Sequence, residues 1–499
     1  MPERSEVPEG WVFVPLGDII SPSKGKIEPS DNPDLKYIGL EHIESNGCRI
    51  VSNGQSGDTK STKTVFHTGD LLYGKLRPYL NKVCIPDFDG VCSTDILVFK
   101  RSSHLNNRYV MWFLSIPDFV DYANNNSSGV QLPRISFQKL SCYHIPLPPL
   151  AEQHRIVAAV EALFARLDAA NARLERVPGI LKQFRQAVLA AACEGRLTED
   201  WRVENPNWED GSVVISRIVA ERKSQSVIGD KNKGQVIIPQ IIQDGNEKYF
   251  EIPPSWIWVR FGTVLGEIKN GISIKPHNDP PGAPILRISA LRARDVNLSD
   301  CRYLRNSETY IKSYRLEDND LLFTRYSGSE EFVGICGLVR DIKDNVVLYP
   351  DKLIRVRFDH QQILPDYAEL FYINRFARQI IIDSSKSSAG QRGISGKNIR
   401  DLPLALPPLP EQHEIVRRVD ALFALADRIE AEVAAARAKT ETMRQSILAL
   451  AFSGRLVPTE AELARREGCE YEPASVLLER ICSEKKEKTG RRGTQSTLV

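Results

Sequence analysis

A loop rich in arginine, lysine and glutamine in the second half of the chain carries side chains suited to nucleic acid. It spans Asp383–Arg400, DSSKSSAGQRGISGKNIR, with three glycines and no carboxylate after Asp383. Its candidate residues are Lys386, Gln391, Arg392 and Lys397. Arginine and glutamine can form paired hydrogen bonds with guanine and adenine edges, whereas lysine and backbone N–H groups contact phosphates. The loop is therefore a candidate DNA-binding segment, with a solvated surface loop as the alternative.

Similar side chains occur at four other places, so the loop is not an isolated feature. In the second half they lie in TRYSGS and LYPDKLIR, where the candidates are Arg325, Tyr326, Ser327 and Lys352. In the first half they lie in LYGKLRPY and in the loop NNNSSGVQLPRISFQKL, where the candidates are Lys75, Arg77, Tyr79, Gln131 and Arg134. For LLYG and LLFT, a purely structural role is a stronger alternative than it is for the loop, because these stretches are also typical of core strands.

Motifs for modifying or cutting DNA are incomplete. Asn278–Pro281 reads NDPP, but Gly282 follows where an adenine methyltransferase needs an aromatic residue to stack on the base, so we interpret it as a turn. Asp341–Lys343 has the D-x-K spacing of metal-dependent nucleases, a tripeptide common by chance. The chain has no G-x-x-x-x-G-K-[ST] loop, and its 8 histidines form no metal-ligand pattern. We predict no catalytic site and no cofactor in this chain.

Composition indicates a multidomain globular protein and leaves its function open. The 499 residues are 42% hydrophobic and 26% charged, with a net charge of +2 that does not identify a nucleic-acid binder. No apolar run of membrane-spanning length and no secretory signal is visible, so no membrane association is expected. The 9 cysteines form no C-x-x-C pair. That pattern fits the reducing cytoplasm, which we predict as the location.

An internal duplication is the strongest signal in the sequence. LPPLAEQHRIVAAVEALFARLD at Leu147–Asp168 matches LPPLPEQHEIVRRVDALFALAD at Leu406–Asp427, with an offset of 411 − 152 = 259. The same offset relates FRQAVLAAACEGRL, from Phe184, to MRQSILALAFSGRL, from Met443. The intervening regions match loosely, with offsets from 245 to 259. The similar segments predict two equivalent docking surfaces for one kind of partner, and the dissimilar regions predict two different targets.

The duplicated segments have the pattern of amphipathic helices. Apolar residues recur at helical spacing from Ile156 to Leu167 and from Ile415 to Leu425. Pro178-Gly179 predicts a break in the first copy, with a second helix over residues 180–194. The second copy has no such breaker and predicts one helix over residues 410–452. Two long amphipathic helices favour an antiparallel coiled coil, and an ordinary helical bundle is the alternative.

The remaining regions mix short β-like runs with single helical stretches, as in ILVFK at Ile96–Lys100 and NRYVMWFLSI at Asn107–Ile116. We therefore predict a mixed α/β (α+β) fold with two α/β recognition domains joined by long helices in a pseudo-two-fold repeat. The predicted bounds are 1–148 and 251–406 for the two domains, 149–205 and 407–458 for the helical regions, 206–250 for a linker with a short helix, and 459–499 for a tail with a short helix.

The duplicated LPPLxEQxxIVxxVxxLFAxxD and RQxxLxxAxxGxL blocks resemble the conserved regions of type I restriction–modification specificity subunits, known as HsdS. The resemblance covers nearly the whole chain, and the second half is especially similar to EcoKI-like family IA through blocks such as AGQRGISGKNIR. It implies that two target recognition domains each read one half of an asymmetric, bipartite sequence in double-stranded DNA. It also implies that the helices fix the gap between the halves. A helix over residues 151–176 would be about 39 Å long, close to one turn of duplex.

The resemblance further implies partners that carry the chemistry. Two methylation (HsdM) subunits would dock on the helices and use S-adenosylmethionine, and two restriction (HsdR) subunits would use ATP and Mg. Candidate docking residues on the helices are Glu152, Gln153, Glu411, Gln412, Arg185 and Arg444. Two other functions stay open at this point, namely a coiled-coil scaffold joining two protein-binding domains and a self-contained methyltransferase or nuclease.

Overall fold

The computed structural model of the chain describes residues 7–206, 209, 211, 213–218, 220, 249–358, 362–388 and 391–493. It divides into two compact units, which we call unit 1 (Met1–Glu175 with Val433–Val499) and unit 2 (Arg176–Glu432). The predicted linker over residues 206–250 lies largely outside the described residues, although residues 213–218 are helical.

Short strands and helices make up the head of unit 1, residues 12–147. Its strands are β1 Val12–Pro15, β2 Lys26–Ile27, β3 Lys36–Ile38, β4 Gly54–Gln55, β5 Lys63–Phe66, β6 Leu71–Gly74, β7 Val83–Cys84, β8 Gly90–Cys92, β9 Ile96–Phe99 and β10 His144–Leu147. Its helices are α1 Leu16–Ile19, α2 Asn107–Phe113, α3 Pro117–Asn125 and α4 Phe137–Leu140. The helical regions that follow are α5 Leu150–Leu174, α6 Val177–Cys193 and α7 Glu199–Glu204.

The head of unit 2, residues 257–406, has more strands. They are β11 Ile257–Arg260, β12 Glu267–Asn270, β13 Ala283–Leu286, β14 Leu291–Arg292, β15 Asp295–Val296, β16 Cys301–Leu304, β17 Leu321–Thr324, β18 Tyr326–Ser327, β19 Cys336–Leu338, β20 Leu353–Arg357, β21 Lys386–Ser388, β22 Gln391–Gly393 and β23 Pro403–Leu406. Its helices are α8 Glu308–Tyr314, α9 Pro365–Ile373, α10 Arg375–Ser384 and α11 Gly396–Asp401. The chain then continues through α12 Leu409–Phe452, α13 Glu460–Glu467 and α14 Ala474–Gly493.

Both heads are closed in the same way and contain different sheets. The first and last strands pair antiparallel, with Val12 opposite Leu147 in unit 1 and Ile257 opposite Leu406 in unit 2. The main sheets have five strands in the order β2-β5-β8-β3-β4 in unit 1 and four in the order β12-β20-β17-β19 in unit 2. The mixed α/β fold is therefore confirmed, and the last strand of each head leads directly into a long helix, α5 or α12.

The long helices follow the sequence pattern. The first helical region breaks after Leu174, and Pro178 lies in the first turn of α6, where its missing N–H costs no hydrogen bond. The second region is one helix of 44 residues, α12. The predicted break and the predicted continuous helix are both confirmed.

Each unit contains an antiparallel pair of helices drawn from both repeats. In unit 1, α5 pairs with the C-terminal part of α12, because Thr440 donates to Asn171 at 2.8 Å, whereas Glu152 near the start of α5 accepts from the Glu460 N–H beyond α12. In unit 2, α6 pairs with the N-terminal part of α12 through Arg185 and Asp427, at 2.6 Å. The division between the units falls within both helical regions, so that α5 belongs to unit 1, α6 to unit 2, and α12 contributes to both.

The apolar stripes of the helices enter the cores of the heads. In unit 1, Ile156, Val160 and Phe164 of α5 are buried in one cluster with Tyr109, and Leu448 and Phe452 of α12 belong to the same cluster. In unit 2, Ile415 and Val419 of α12 share a cluster with residues of α6, β20 and α9. Burial of such side chains stabilises each by about 1.5–3 kcal/mol. In each unit the helices therefore share a buried cluster with the head.

Candidate nucleic-acid interface

In unit 2 the two predicted DNA-binding segments lie on one small sheet. The loop Asp383–Arg400 folds into the hairpin β21–β22, and β22 pairs with β18 of the TRYSGS segment. Ser327 lies opposite Arg392, and the Ile394 N–H donates to the Arg325 carbonyl at 3.0 Å. Segments about 60 residues apart in sequence therefore present their side chains side by side.

In unit 1 the corresponding segments meet in the same arrangement. Arg134 forms isolated β-bridges with Leu76 on one side and Ser128 on the other. The Ile135 N–H donates to the Lys75 carbonyl at 3.0 Å, as Ile394 does to Arg325 in unit 2. The Arg77 N–H donates to the Pro133 carbonyl at 2.7 Å. We call these two structures the small sheets of units 1 and 2. They consist of residues 75–77 with 128–135, and of residues 325–327 with 386–388 and 391–394.

A capped helix follows each small sheet directly. Ser136 caps α4 by accepting from the Lys139 N–H, and Ser395 caps α11 by accepting from the Asn398 N–H. Such caps stabilise a helix start by about 1 kcal/mol. They fix the end of each hairpin, because the cap is only one residue beyond the last sheet hydrogen bond. Lys397 lies exposed in the first turn of α11, next to the small sheet of unit 2.

Carboxylates offset part of the positive charge of the unit 1 small sheet. Asp95 accepts from Arg134 at 3.0 and 3.2 Å, and the ammonium of Lys75 lies 3.9 Å from the same carboxylate. Arg77, Tyr79 and Gln131 are exposed. Arg77 makes no side-chain ion pair with any residue that the structure describes. Among the described residues of this small sheet, Arg77 is therefore an exposed arginine with no carboxylate partner, whereas Asp95 holds Arg134 in orientation.

In unit 2 cations gather around Tyr326. The guanidinium carbon of Arg325 lies 4.7 Å from the centre of the Tyr326 ring, and the ammonium of Lys352 lies 5.3 Å from it. Arg392 forms an ion pair with Glu330. Lys386 and Gln391 are exposed. All eight unit 2 candidates thus lie on or beside one small sheet, as the five unit 1 candidates do on theirs.

A cavity of about 420 Å³ lies beside Tyr326 and could not be foreseen from the sequence. Besides Tyr326, Ser327, Lys352 and Gln391, it is lined by Ile288, Arg292 and Phe332, which sequence reasoning missed. Ile288 and Phe332 are 40% and 38% exposed, high values for large apolar side chains. Arg292 lies over the Phe332 ring, 5.5 Å from its centre.

The structure corrects the prediction that four glutamate and glutamine residues lie on an exposed docking surface. All four are buried, namely Glu152, Gln153, Glu411 and Gln412. Glu152 accepts from the Trp11 indole N–H at 3.0 Å, and Glu411 accepts from that of Trp256 at 2.8 Å. Gln153 and Gln412 each donate to a carbonyl of the preceding prolines and accept from a backbone N–H of the head. They join head to helix, so they cannot form an exposed docking surface.

We call the contact between Trp11 and Glu152 the joint of unit 1 and the contact between Trp256 and Glu411 the joint of unit 2. The two glutamates have different surroundings. Glu411 also accepts from Thr198 at 2.7 Å and from Arg202 at 2.5 Å. Glu152 accepts instead from the Glu460 N–H at 3.0 Å. Burial raises the pKa of Glu152, and its hydrogen bonds from Glu460 and Trp11 partly offset that rise.

The remaining docking candidates, Arg185 and Arg444, are three-quarters buried and also act within their units. Arg185 donates to Asp427 at 2.6 Å and to Glu430 at 3.0 Å. Arg444 pairs with Asp168 and lies over the Phe164 ring at 4.5 Å. Both arginines hold α12 to its partner helix. The repeated residues therefore stabilise helix pairing, and the docking surface for a partner is not identified by them.

The weak catalytic motifs lie in turns. Residues 278–281 are exposed, and Asp341 and Lys343 have positive φ angles of 56° and 49°. Within the described ranges, no group of three or more His, Cys, Asp or Glu could hold a metal ion. No helix in the same part of the chain is long and apolar enough to cross a membrane.

Comparison with known families gives a match over both halves. The family model for the type I restriction modification DNA specificity domain matches residues 8–178 and 263–435. The specificity subunit of the type I restriction enzyme EcoKI from Escherichia coli K12 is 33% identical, with 98% of each chain covered. The StySPI specificity subunit from Salmonella potsdam is 27% identical over 91% of this chain and 90% of the relative.

Solved structures share the fold. The HsdS subunit from Thermoanaerobacter tengcongensis superposes with a TM-score of 0.56 at 21% identity, covering 90% of this chain and 98% of that one. A chain from a structure on complex assembly and conformational transition of the type I R-M system gives a TM-score of 0.60 at 20% identity, covering 90% and 99%.

Proposed function

Because the chain belongs to the type I restriction–modification DNA specificity family, we propose that each unit reads one half of a bipartite target in double-stranded DNA with its small sheet. The observation that carries this proposal is the repeated meeting of two distant polar segments on one small sheet in both units. Exposed arginine, lysine and glutamine side chains on a short sheet suit contacts to phosphates and base edges. Two sheets with different side chains suit two different half-sites.

The partners and the chemistry are part of the same proposal. The chain is a non-catalytic subunit that acts with two methylation and two restriction subunits, which use S-adenosylmethionine, ATP and Mg. The helical segments set the gap between the half-sites. The cytoplasmic location stays a prediction of the sequence.

Methylome sequencing of a host that expresses this chain with its methylation subunit tests the proposal directly. We expect one methylated motif with two half-sites and a fixed gap. Arg77→Ala should weaken readout of one half-site and Gln391→Ala readout of the other, each by about 1–3 kcal/mol. Arg166→Ala, an exposed change on α5 away from the small sheets, is the matched control.

Direct binding assays distinguish this function from its rivals. DNA affinity should fall steeply with salt, because phosphate contacts release counterions. Binding to a protein with no affinity for DNA would favour a scaffold and contradict the proposal. Lengthening α5 near Ala169–Ala172 should change the gap and leave both half-sites unchanged. A changed half-site with an unchanged gap would contradict the role given to the helices.

A further inference from the structure

We propose that the cavity beside Tyr326 in unit 2 receives a single nucleobase that leaves the duplex stack when the DNA binds. The inference rests on the proposed DNA-reading function and adds to it a binding site for one unstacked base. The site is built from Ile288, Arg292, Tyr326, Phe332 and Gln391.

The shape of the site is the first argument. A stacked base pair presents only its nearly flat groove edge to a protein. A cavity of about 420 Å³ is concave and falls within the size range of small-molecule sites. Contact with one thymine methyl would fill only a small part of it. A whole unstacked base would fill much more of the cavity. Proteins that extrude a base hold it in a pocket of this kind.

The lining of the cavity is the second argument. Tyr326 and Phe332 offer two aromatic rings, and bases stack on aromatic side chains and on arginine planes whatever their identity. Arg292 lies 5.5 Å from the Phe332 ring centre, and Lys352 lies 5.3 Å from that of Tyr326. The charged residues among those that line the cavity are the cations Arg292 and Lys352, which suit the phosphates beside an unstacked base. The exposed amide of Gln391 can pair with a base edge.

The position of the Tyr326 ring is fixed before any ligand arrives. A Cβ atom on Gly393 would lie 2.6 and 2.7 Å from two carbons of the ring, so only glycine leaves room for it there. The Arg325 guanidinium lies 4.7 Å from the ring centre. A ring held in this way loses little conformational entropy on stacking, which favours binding.

Phe332 belongs to a segment that distinguishes unit 2 from unit 1. The hairpin connection runs over residues 75–82 in unit 1, where the Gly74 N–H donates to Lys82. In unit 2 it runs over residues 325–335, where the Thr324 N–H donates to Ile335, and it is three residues longer. The inference therefore assigns the unstacked base to the half-site that unit 2 reads.

Fluorescence of 2-aminopurine tests the inference. The full chain alone is mixed with duplexes that carry its target, with 2-aminopurine placed at each position of both half-sites in turn. The methylation subunits are left out, so that base extrusion by them cannot contribute. We expect a several-fold rise in fluorescence at one position of the half-site read by unit 2. Phe332→Ala should abolish the rise and weaken binding about tenfold, because one stacking partner is lost.

Matched variants separate the site from general folding effects. Phe332 is exposed enough that its replacement should not disturb the core, and Phe332→Trp should preserve the fluorescence rise. Gly393→Ala should reduce the rise by displacing the Tyr326 ring. Specific binding with no rise at any position, or a rise that Phe332→Ala and Arg292→Ala leave unchanged, would overturn the inference while the proposed function stands. Absence of specific DNA binding would instead overturn the proposed function.

Discussion

The joint between head and helix is built at the same place in both units, but with different partners for the buried glutamate. Both joints contain a tryptophan that donates to the glutamate, Trp11 to Glu152 and Trp256 to Glu411. In unit 2 a cation, Arg202, also reaches the carboxylate. In unit 1 the second donor is the backbone N–H of Glu460. A buried carboxylate can thus be stabilised either by a charge or by hydrogen bonds from neutral groups.

The difference matters because a broken ion pair leaves a second charge behind. Loss of Glu411 would leave Thr198 and Trp256 without their acceptor. It would also leave the Arg202 guanidinium without its carboxylate, with the Gly195 carbonyl and the Thr198 hydroxyl as its remaining acceptors. Loss of Glu152 would leave only neutral donors unpaired. Removal of the glutamate should therefore destabilise unit 2 more than unit 1, because the glutamate of unit 2 is paired with a charged residue.

Replacing the two glutamates should give the largest effects on the free energy of unfolding, and the effect should differ between the two joints. Glu411→Ala should lower the free energy of unfolding of unit 2 by about 3–5 kcal/mol, the cost of an uncompensated partner of a buried ion pair. Glu152→Ala should lower that of unit 1 by about 1–3 kcal/mol, the cost of unpaired neutral donors. Hydrogen exchange measured peptide by peptide during denaturation would assign each loss to its unit. An equal or larger loss for Glu152→Ala would contradict the comparison.

The arginines of the helix pairs should give the next largest difference. Arg444→Ala removes an ion pair with Asp168 and a cation–π contact with Phe164, and should cost about 1–2 kcal/mol in unit 1. Arg185→Ala removes two ion pairs with well-exposed carboxylates and should cost less than about 1 kcal/mol in unit 2. Thermal unfolding of both variants, with the Lys variants as controls for charge, measures the difference. A larger cost for Arg185→Ala would show that the aromatic contact contributes nothing.

Removing the carboxylates that pair with cations on the small sheets should have a smaller effect. It should strengthen DNA binding, because the cations then become available to phosphates. Asp95→Asn frees Lys75 and Arg134 in unit 1, whereas Glu330→Gln frees only Arg392 in unit 2. The salt dependence of binding should steepen by about one unit of slope for each cation that reaches a phosphate. Titrations at several salt concentrations would measure both slopes. Weaker binding by Asp95→Asn would mean that the carboxylate holds Arg134 in its binding orientation, and would reverse the expectation for unit 1.

The smallest effect should be a pH dependence at Glu152 in unit 1. Because the pKa of Glu152 is raised in the folded chain, the folded state holds its proton more tightly than the unfolded state. Between the ordinary pKa of glutamate and this raised value, the contribution of Glu152 to stability should therefore fall as pH increases. The difference in unfolding free energy between the wild type and Glu152→Gln, followed across that range, should shift in favour of the variant as pH rises. A constant difference would show that the pKa is not perturbed.

The helices could be predicted from the sequence because the duplication fixes their periodicity twice. The break that precedes Pro178 and its absence in the second copy needed no tertiary information. The same repetition misled the assignment of Glu152 and Glu411 to a docking surface. The signal that could have corrected it is the repetition of Trp11 and Trp256, since a tryptophan beside a buried carboxylate supplies the donor that the carboxylate needs.

The small sheets and the cavity were harder to foresee for physical reasons. The candidate residues were identified, but not their pairing, because strands of two or three polar residues have neither apolar alternation nor length to fix a register. Phe332 lies in the longer connection of unit 2, which has no counterpart in unit 1, so the duplication gave no signal for it. Only the folded structure places it beside Tyr326 and Arg292.

The antiparallel pairing of the first and last strands of each head has a consequence for gene exchange. Val12 faces Leu147, and Ile257 faces Leu406, so each head enters and leaves at neighbouring backbone positions. A coding segment for a different head could therefore be inserted between two similar helical segments, with its ends already in place for the joint. Recombination within the duplicated stretches would exchange one head at a time and keep the helices, provided that the incoming head supplies the tryptophan for the glutamate.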